Sequence, residues 1–237
     1  GFHYPFGQPN LEGNSAGVND WWLKKFHFPD TPNSDYATSH YPQMALVNEN
    51  KCFFNNENDI PFRFKENTAF HFDATKFSIW LRDHYCLPRG VKHIKENVDT
   101  IEKNDEGIIS INGKYTADLY IDCTGFKSLL LDKTLHEPFE SYSDMLPNNS
   151  AWATRISYTD KEKQLKTYTN CTAIENGWVW NIPLWSRIGT GYVYSDEFIS
   201  KENALKEFQE HIGRDDLEFK DIEMKIGIHE QTWKKNV

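Results

Sequence analysis

Across residues 1–60 apolar and polar positions follow no steady period. Asn, Pro, Gly and aromatic residues are interleaved there, which predicts a long, partly irregular segment with a capping role. The pattern then sharpens. Asp73 stands where a helix N-cap belongs, Phe77, Trp80, Leu81 and Tyr85 recur at helical spacing, and Pro88 and Gly90 stop the run. Residues 91–122 switch to short strand-like pieces. Asn104-Asp105-Glu106-Gly107 and Asn112-Gly113 divide them as the turn signals of a small antiparallel meander. Leu119-Tyr120-Ile121 predicts a short apolar strand running into Asp122-Cys123-Thr124-Gly125. Alternation returns around Ala151–Tyr158, Lys166–Ile174, Trp178–Ile182 and Gly191–Tyr194, predicting a larger antiparallel sheet. After Ser200, Ala204, Leu205, Phe208 and Ile212 line one helical face, with Gly213 at the C-terminal cap position. Met224–Val237 reads as strand material. The expected fold is mixed α and β, without internal repeats.

Composition narrows the function. The 237 residues suffice for one large domain or two small ones, with a core that needs no disulfide or metal. Lys plus Arg is 26 against 35 Asp plus Glu, a net charge of -9, and such a chain repels phosphate backbones, so nucleic acid is not an expected partner. No apolar run approaches the ~18 residues of a membrane span. Gly1-Phe2-His3-Tyr4-Pro5 has neither Met nor the layout of a secretion signal, and reads as the interior of a longer protein. Cys52, Cys86, Cys123 and Cys171 contain no C-x-x-C pair, so no zinc site is expected; they read as buried free thiols in a reducing cytoplasm, and the Asn170-Cys171-Thr172 sequon as a chance match. Sixteen Phe, eight Trp and eleven Tyr suit either a bulky core or an aromatic binding site.

Two segments are candidates for chemistry. In Gly177-Trp178-Val179-Trp180-Asn181-Ile182-Pro183-Leu184, a strand would put Trp178 and Trp180 on one face and Val179 and Asn181 on the other. Taken alone, such a strand more often fills a core between sheet and helix. In Ala117-Asp118-Leu119-Tyr120-Ile121-Asp122-Cys123-Thr124-Gly125-Phe126, a strand ending in small residues lets backbone approach a cofactor closely, and equally suits an ordinary strand-to-loop turn. His229-Glu230-Gln231-Thr232-Trp233 begins like a zincin helix but has Trp where the second His must stand, so it makes no such metal site. The nine histidines show no ligand pairing.

W-x-W-x-I-P is the signature of flavin-dependent halogenases, and the run Gly191-Tyr192-Val193-Tyr194-Ser195 resembles the strand that follows it there. Asp118 to Gly125 resembles the strand that runs beside FAD in glutathione-reductase-like flavoproteins, and Phe126-Lys127-Ser128-Leu129-Leu130 is similar to the halogenases' continuation. Ala69-Phe70-His71-Phe72-Asp73 resembles the start of the helix before the family's adenine-side meander, and Tyr4-Pro5-Phe6-Gly7 is similar to its "H-P-F-G", with Tyr4 where His is usual. A Tyr-Pro turn with Phe6 in a core is the other reading of that last segment.

The chain thus resembles the flavin-dependent tryptophan halogenases over nearly its whole length. The resemblance implies an α/β fold: an incomplete, glutathione-reductase-like ββα FAD-binding part with an antiparallel-sheet-plus-helix substrate part. Residues 1–60 would cap the substrate side, 61–135 belong to the FAD part, and 136–237 form the substrate sheet and helices, ending inside a strand that returns to the FAD part. It implies FAD, reduced by a separate flavin reductase, which with O2 turns halide into hypohalous acid that halogenates a tryptophan- or indole-like ring. Trp178 and Trp180 would be the wall between flavin and substrate, Tyr4 and Phe6 would sandwich the substrate, and Val98, Thr124 and Gly125 would contact the cofactor. The family's G-x-G-x-x-G is absent from the sequence. Its catalytic lysine is expected before Gly1, and its glutamate and halide loop after Val237. The alternatives are an FAD-dependent aromatic monooxygenase of related fold and a catalytically dead module that binds an aromatic ligand.

Overall fold

The computed structural model describes residues 4–5, 17–41, 43–52 and 68–237, so Phe6 lies outside the described residues. They group into two compact units. One draws on Gly1–Phe72, Ser157–Thr169 and Ile182–Arg187, the other on Asp73–Ile156, Asn170–Asn181 and Ile188–Val237.

The first unit is more helical than the sequence pattern predicts. It holds α1 (Gly17–His27), α2 (Ser34–His40), α3 (Gln43–Asn48) and the single-turn α5 (Lys161–Gln164). The reading of 1–60 as irregular passes over α1, where Val18, Trp21, Trp22 and Phe26 recur at helical spacing among the Asn, Pro and Gly residues. Lys25 ties down the turn after that helix, its ammonium donating to the carbonyls of Pro29 (2.8 Å) and Thr31 (2.6 Å). Asn50 stitches distant segments together: Nδ2 donates to Leu165 O at 3.0 Å, and Oδ1 accepts from Thr167 N at 3.0 Å.

In the second unit the predicted first helix is present as α4 (Ala74–Trp80), with the Asp73 carboxylate accepting from Thr75 and Lys76 N–H at 3.1 Å. A wider helical turn and a tight one carry the chain to Gly90, whose φ of 85° ends the run. The meander reduces to a hairpin, β1 (Ile101–Asn104) with β2 (Gly107–Ile111), closed by Asn104 Oδ1 accepting from Glu106 and Gly107 N–H. Leu119–Ile121 is not a strand: of the expected ladder, one bond forms, from Tyr120 N–H to Asn236 O at 2.8 Å. Ile108, Tyr120, Leu130, Leu135 and Val237 make a compact core here.

The predicted large sheet has five strands in the order β5-β6-β7-β4-β8: β4 (Ser150–Ile156), β5 (Asn170–Ile174), β6 (Gly177–Pro183), β7 (Ile188–Tyr194) and β8 (Lys220–Glu223). A separate pair joins β3 (Phe139–Ser141) to β9 (Gly227–His229), and of the expected strand Met224–Val237 only the β9 residues are in a ladder. α6 (Lys201–Ile212) begins at Ser200, whose hydroxyl accepts from Asn203 N–H, and ends at Gly213 with φ 67°. It lays Ala204 and Phe208, both fully buried, against Val179, Tyr192 and Tyr194, with Trp152, Ile174, Ile199, Ile212 and Phe219 around them. The cysteines depart from expectation: Cys52, Cys123 and Cys171 are exposed and Cys86 is half-buried. No helix among the described residues is long and apolar enough to cross a membrane.

Candidate functional site

Strand alternation divides the large sheet into a packed face and an open one. Val179 of β6 and Tyr192 and Tyr194 of β7 point under α6 and are fully buried. Trp178 and Trp180 therefore project from the other face. Their ring centroids are 6.1 Å apart, tilted by 57°, and Trp178 keeps 37% of its surface exposed. Among the described residues, neither indole belongs to the two buried apolar clusters. On the same face, Cys171 pairs with Trp180 and Ala173 with Trp178 across β5, while Ala153 pairs with Gly191 and Ala151 with Val193 across β4 and β7. Two large, stiff rings thus stand among smaller side chains, their faces inclined to one another and available to an aromatic ligand.

The turn after the signature is braced within the first unit. The His71 ring meets Pro183 O through Nδ1 (2.9 Å) and Thr169 Oγ1 through Nε2 (3.1 Å). A carbonyl can only accept, so Nδ1 carries the proton. Tyr158 donates its hydroxyl to Leu184 O at 2.5 Å, and Lys161 lies 3.6 Å over the exposed Trp185 ring. The sequence flagged His71 only through its resemblance to a helix entry, and gave no sign of Tyr158.

Asp122 organises the second candidate region. Its Oδ1 accepts from Thr124 N–H (3.1 Å) and Thr124 Oγ1 (2.6 Å), and its Oδ2 from the N–H groups of Leu130 (2.7 Å) and Leu131 (3.1 Å). Burial pushes its pKa up, but these hydrogen bonds outweigh burial and leave it below the ordinary aspartate value. Thr124 Oγ1 also accepts from Leu129 N–H at 2.8 Å, and Gly125 turns at φ 64° with open space where a Cβ would stand. The fold thereby couples Thr124 and Gly125 to Leu129, which lines a shallow cleft of about 370 Å³ with Val98, Asp99, Ile101, Lys103, Lys133 and Thr134. The backbone of 91–100 is outside any strand or helix, with the N–H groups of Asp99 and Thr100 and the carbonyl of Asn97 held by the Asn112 side chain. Val98, Ile101 and Leu129 give the cleft an apolar side, with Lys103 and Lys133 at its edge, a lining suited to the adenine end of a dinucleotide. Tyr4, in the first unit, is 91% exposed.

The chain has relatives of known family. The family model for tryptophan halogenases matches residues 1–237. Tryptophan 7-halogenase RebH of Lentzea aerocolonigenes is 35% identical over 246 residues, covering 99% of this chain and 44% of its own. The apo structure of VirX1 superposes with a TM-score of 0.89 at 40% identity, covering 99% of this chain and 48% of that one. BrvH, a flavin-dependent halogenase from Brevundimonas sp. BAL3, gives 0.80 at 28% identity, with 99% and 48% covered. The chain spans less than half the length of these relatives. With sequence and fold matched from end to end, the chain belongs to the tryptophan halogenase family.

Proposed function

We propose that this chain is part of a flavin-dependent halogenase acting on a tryptophan- or indole-like ring, and that it contributes the wall separating flavin from substrate. The observation that carries the reading is the Trp178–Trp180 pair, set outside both apolar clusters on the open face of the sheet. When bound, FAD, reduced by a separate flavin reductase in the cytoplasm, supplies the oxidation of halide by O2 to hypohalous acid. The chain's own residues position and exclude. Val98 and the lysine-edged cleft receive the adenine end, while Thr124 and Gly125 bring backbone close to the cofactor. The two indoles keep the ring of the substrate from direct contact with the flavin, so that only a small oxidant passes between them. Tyr4 and Phe6 sandwich the substrate. Functionally, 1–60 caps the substrate, 61–135 serves the cofactor and 136–237 carries the substrate sheet, a division that cuts across the compact units.

The test replaces Trp178 or Trp180 by Phe in the parent enzyme and pairs Tm with the ratio of halogenated product to flavin reoxidised. A wall predicts near-native Tm and a lowered ratio. Product lost only in proportion to folded protein removes the wall reading, and hydroxylated substrate formed without halide moves the assignment to a monooxygenase.

A further inference from the structure

Gly191 lies in the middle of β7, where glycine weakens a strand and has to be explained. Its backbone does not explain it: among the described residues the glycines with positive φ are 90, 107, 113, 125, 213 and 227, so the conformation at 191 is open to any residue. What is missing is room. A Cβ on Gly191 would stand 2.1 Å from both Cη2 and Cζ2 of Trp180 and 2.6 Å from the carbonyl oxygen of Trp152. Carbon atoms in contact prefer about 3.5–4.0 Å, so a methyl group there and the indole where it now lies are mutually exclusive. The six-membered end of the Trp180 ring therefore rests on bare backbone of β7. A methyl group would lift the ring off the strand, or turn it toward Trp178, whose centroid is 6.1 Å away.

We propose that Gly191 is a positioning residue that sets the height and tilt of the Trp180 indole, and with them the width of the gap beside Trp178. This rests on the reading of the tryptophan pair as a wall, but the two are separable by experiment. Two indoles this close and tilted couple their excited states, giving a paired positive and negative signal in the far-ultraviolet circular dichroism that depends on their mutual orientation. In the 237-residue chain, Gly191→Ala should lose most of that couplet and lower Tm. Repeated in a Trp180→Ala background, the same change should cost distinctly less Tm, because the two nearest obstructing atoms are gone and the Trp152 carbonyl remains. An intact couplet in Gly191→Ala, or an equal Tm loss in both backgrounds, overturns the proposal. Should Gly191→Ala not fold, the double variant decides: regained folding supports the assignment, and its absence refers the glycine to Trp152 and overturns it. In the parent enzyme, Gly191→Ala should lower product per flavin reoxidised. A lost couplet with an unchanged ratio keeps Gly191 as the residue that places Trp180 and removes the wall reading instead.

Discussion

The side-chain amide of Asn236 takes the place of a strand for Ile108: Oδ1 accepts from Ile108 N–H at 2.8 Å, and Nδ2 donates to Ile108 O at 2.9 Å. Ile108 is buried in the core that also holds Val237, so both backbone groups depend on this one side chain. The arrangement also fixes its neighbour, since a Cβ on Gly107 would come within 2.0 Å of Asn236 Oδ1 at a φ of 138°.

Asn236→Ala leaves a buried donor and a buried acceptor without partners. The expected loss is about 1–3 kcal/mol of unfolding free energy, as for other orphaned buried groups. Asn236→Asp keeps the acceptor but sets carboxylate oxygen against the Ile108 carbonyl, so it should be no better. Urea denaturation of the three proteins measures both. A loss within the scatter of surface substitutions shows that Ile108 finds other partners.

Tyr192 poses a similar question at the other core. Its fully buried hydroxyl donates to Glu207 Oε2 at 2.9 Å, an oxygen that also accepts from Asn176 Nδ2 at 3.1 Å. Burial first, and then the neighbouring Glu207 carboxylate, raise the Tyr192 pKa well above its usual value. A raised pKa means that the stabilisation is complete below the ordinary value near 10 and is lost as pH rises beyond it. Tyr192→Phe should cost about 1.5–3 kcal/mol at neutral pH through the lost hydrogen bond to a charged acceptor. It should also flatten the fall of Tm above pH 10. An equally steep fall in the variant assigns the alkaline loss to other groups.

Acid stability should depend on two carboxylates held below their ordinary values. Glu96 is lowered from 4.5 to about 2 by Lys114 at 2.8 Å, then by Tyr115 and, after the opposing effect of burial, by Asn112. Asp122 is lowered by its hydrogen bonds against the opposing effect of burial. Depressed pKa values contribute stability above the unfolded-state value, which is lost as pH falls through the folded-state value. Thermal melts should therefore decline from roughly pH 4.5 downward. Asp122→Asn has one acceptor oxygen where four donors converge, so it should be less stable at neutral pH and less sensitive to acid below that point. Parallel melting curves for the two proteins, displaced but equally steep, contradict the assignment.

What the sequence made legible follows from where local and tertiary forces agree. The large sheet, α4 and α6 carry their caps and alternation in the chain itself: Asp73, Ser200 and Gly213 stand at the expected boundaries. In the first unit α2 and α3 are 7 and 6 residues long, too short to show a period, and the helical spacing of Trp22 and Phe26 in α1 is masked by the Asn, Pro and Gly residues around it. Leu119–Ile121 failed as a strand because apolar alternation does not supply a ladder partner. The pairing of Trp178 with Trp180 could be read from spacing, and the open face they occupy could not, since burial of Val179 is decided by α6 more than 20 residues later. Gly191 did carry a signal, a glycine inside a strand, which marks a close approach without naming what approaches.

The last prediction concerns flavin. Dinucleotide-binding folds hold the pyrophosphate mainly on a glycine-rich turn and the helix N-terminus behind it, and this sequence contains no G-x-G-x-x-G. What remains for the cofactor is the cleft around Val98 with Lys103 and Lys133, and the Thr124–Gly125 turn. Micromolar affinity requires about 8 kcal/mol, whereas hydrogen bonds from such edges contribute about 1 kcal/mol each. Surface lysines add little more in water. The purified 237-residue protein should therefore be colourless, and titration with FAD at micromolar concentrations should show no saturable quenching of flavin fluorescence. Calorimetric titration with ADP should likewise show no saturable binding, because the cleft on the adenine side offers edge contacts without a pyrophosphate site. Stoichiometric yellow protein would mean that the cleft and the indole face together hold FAD unaided, and that the pyrophosphate is bound by groups other than a glycine-rich turn.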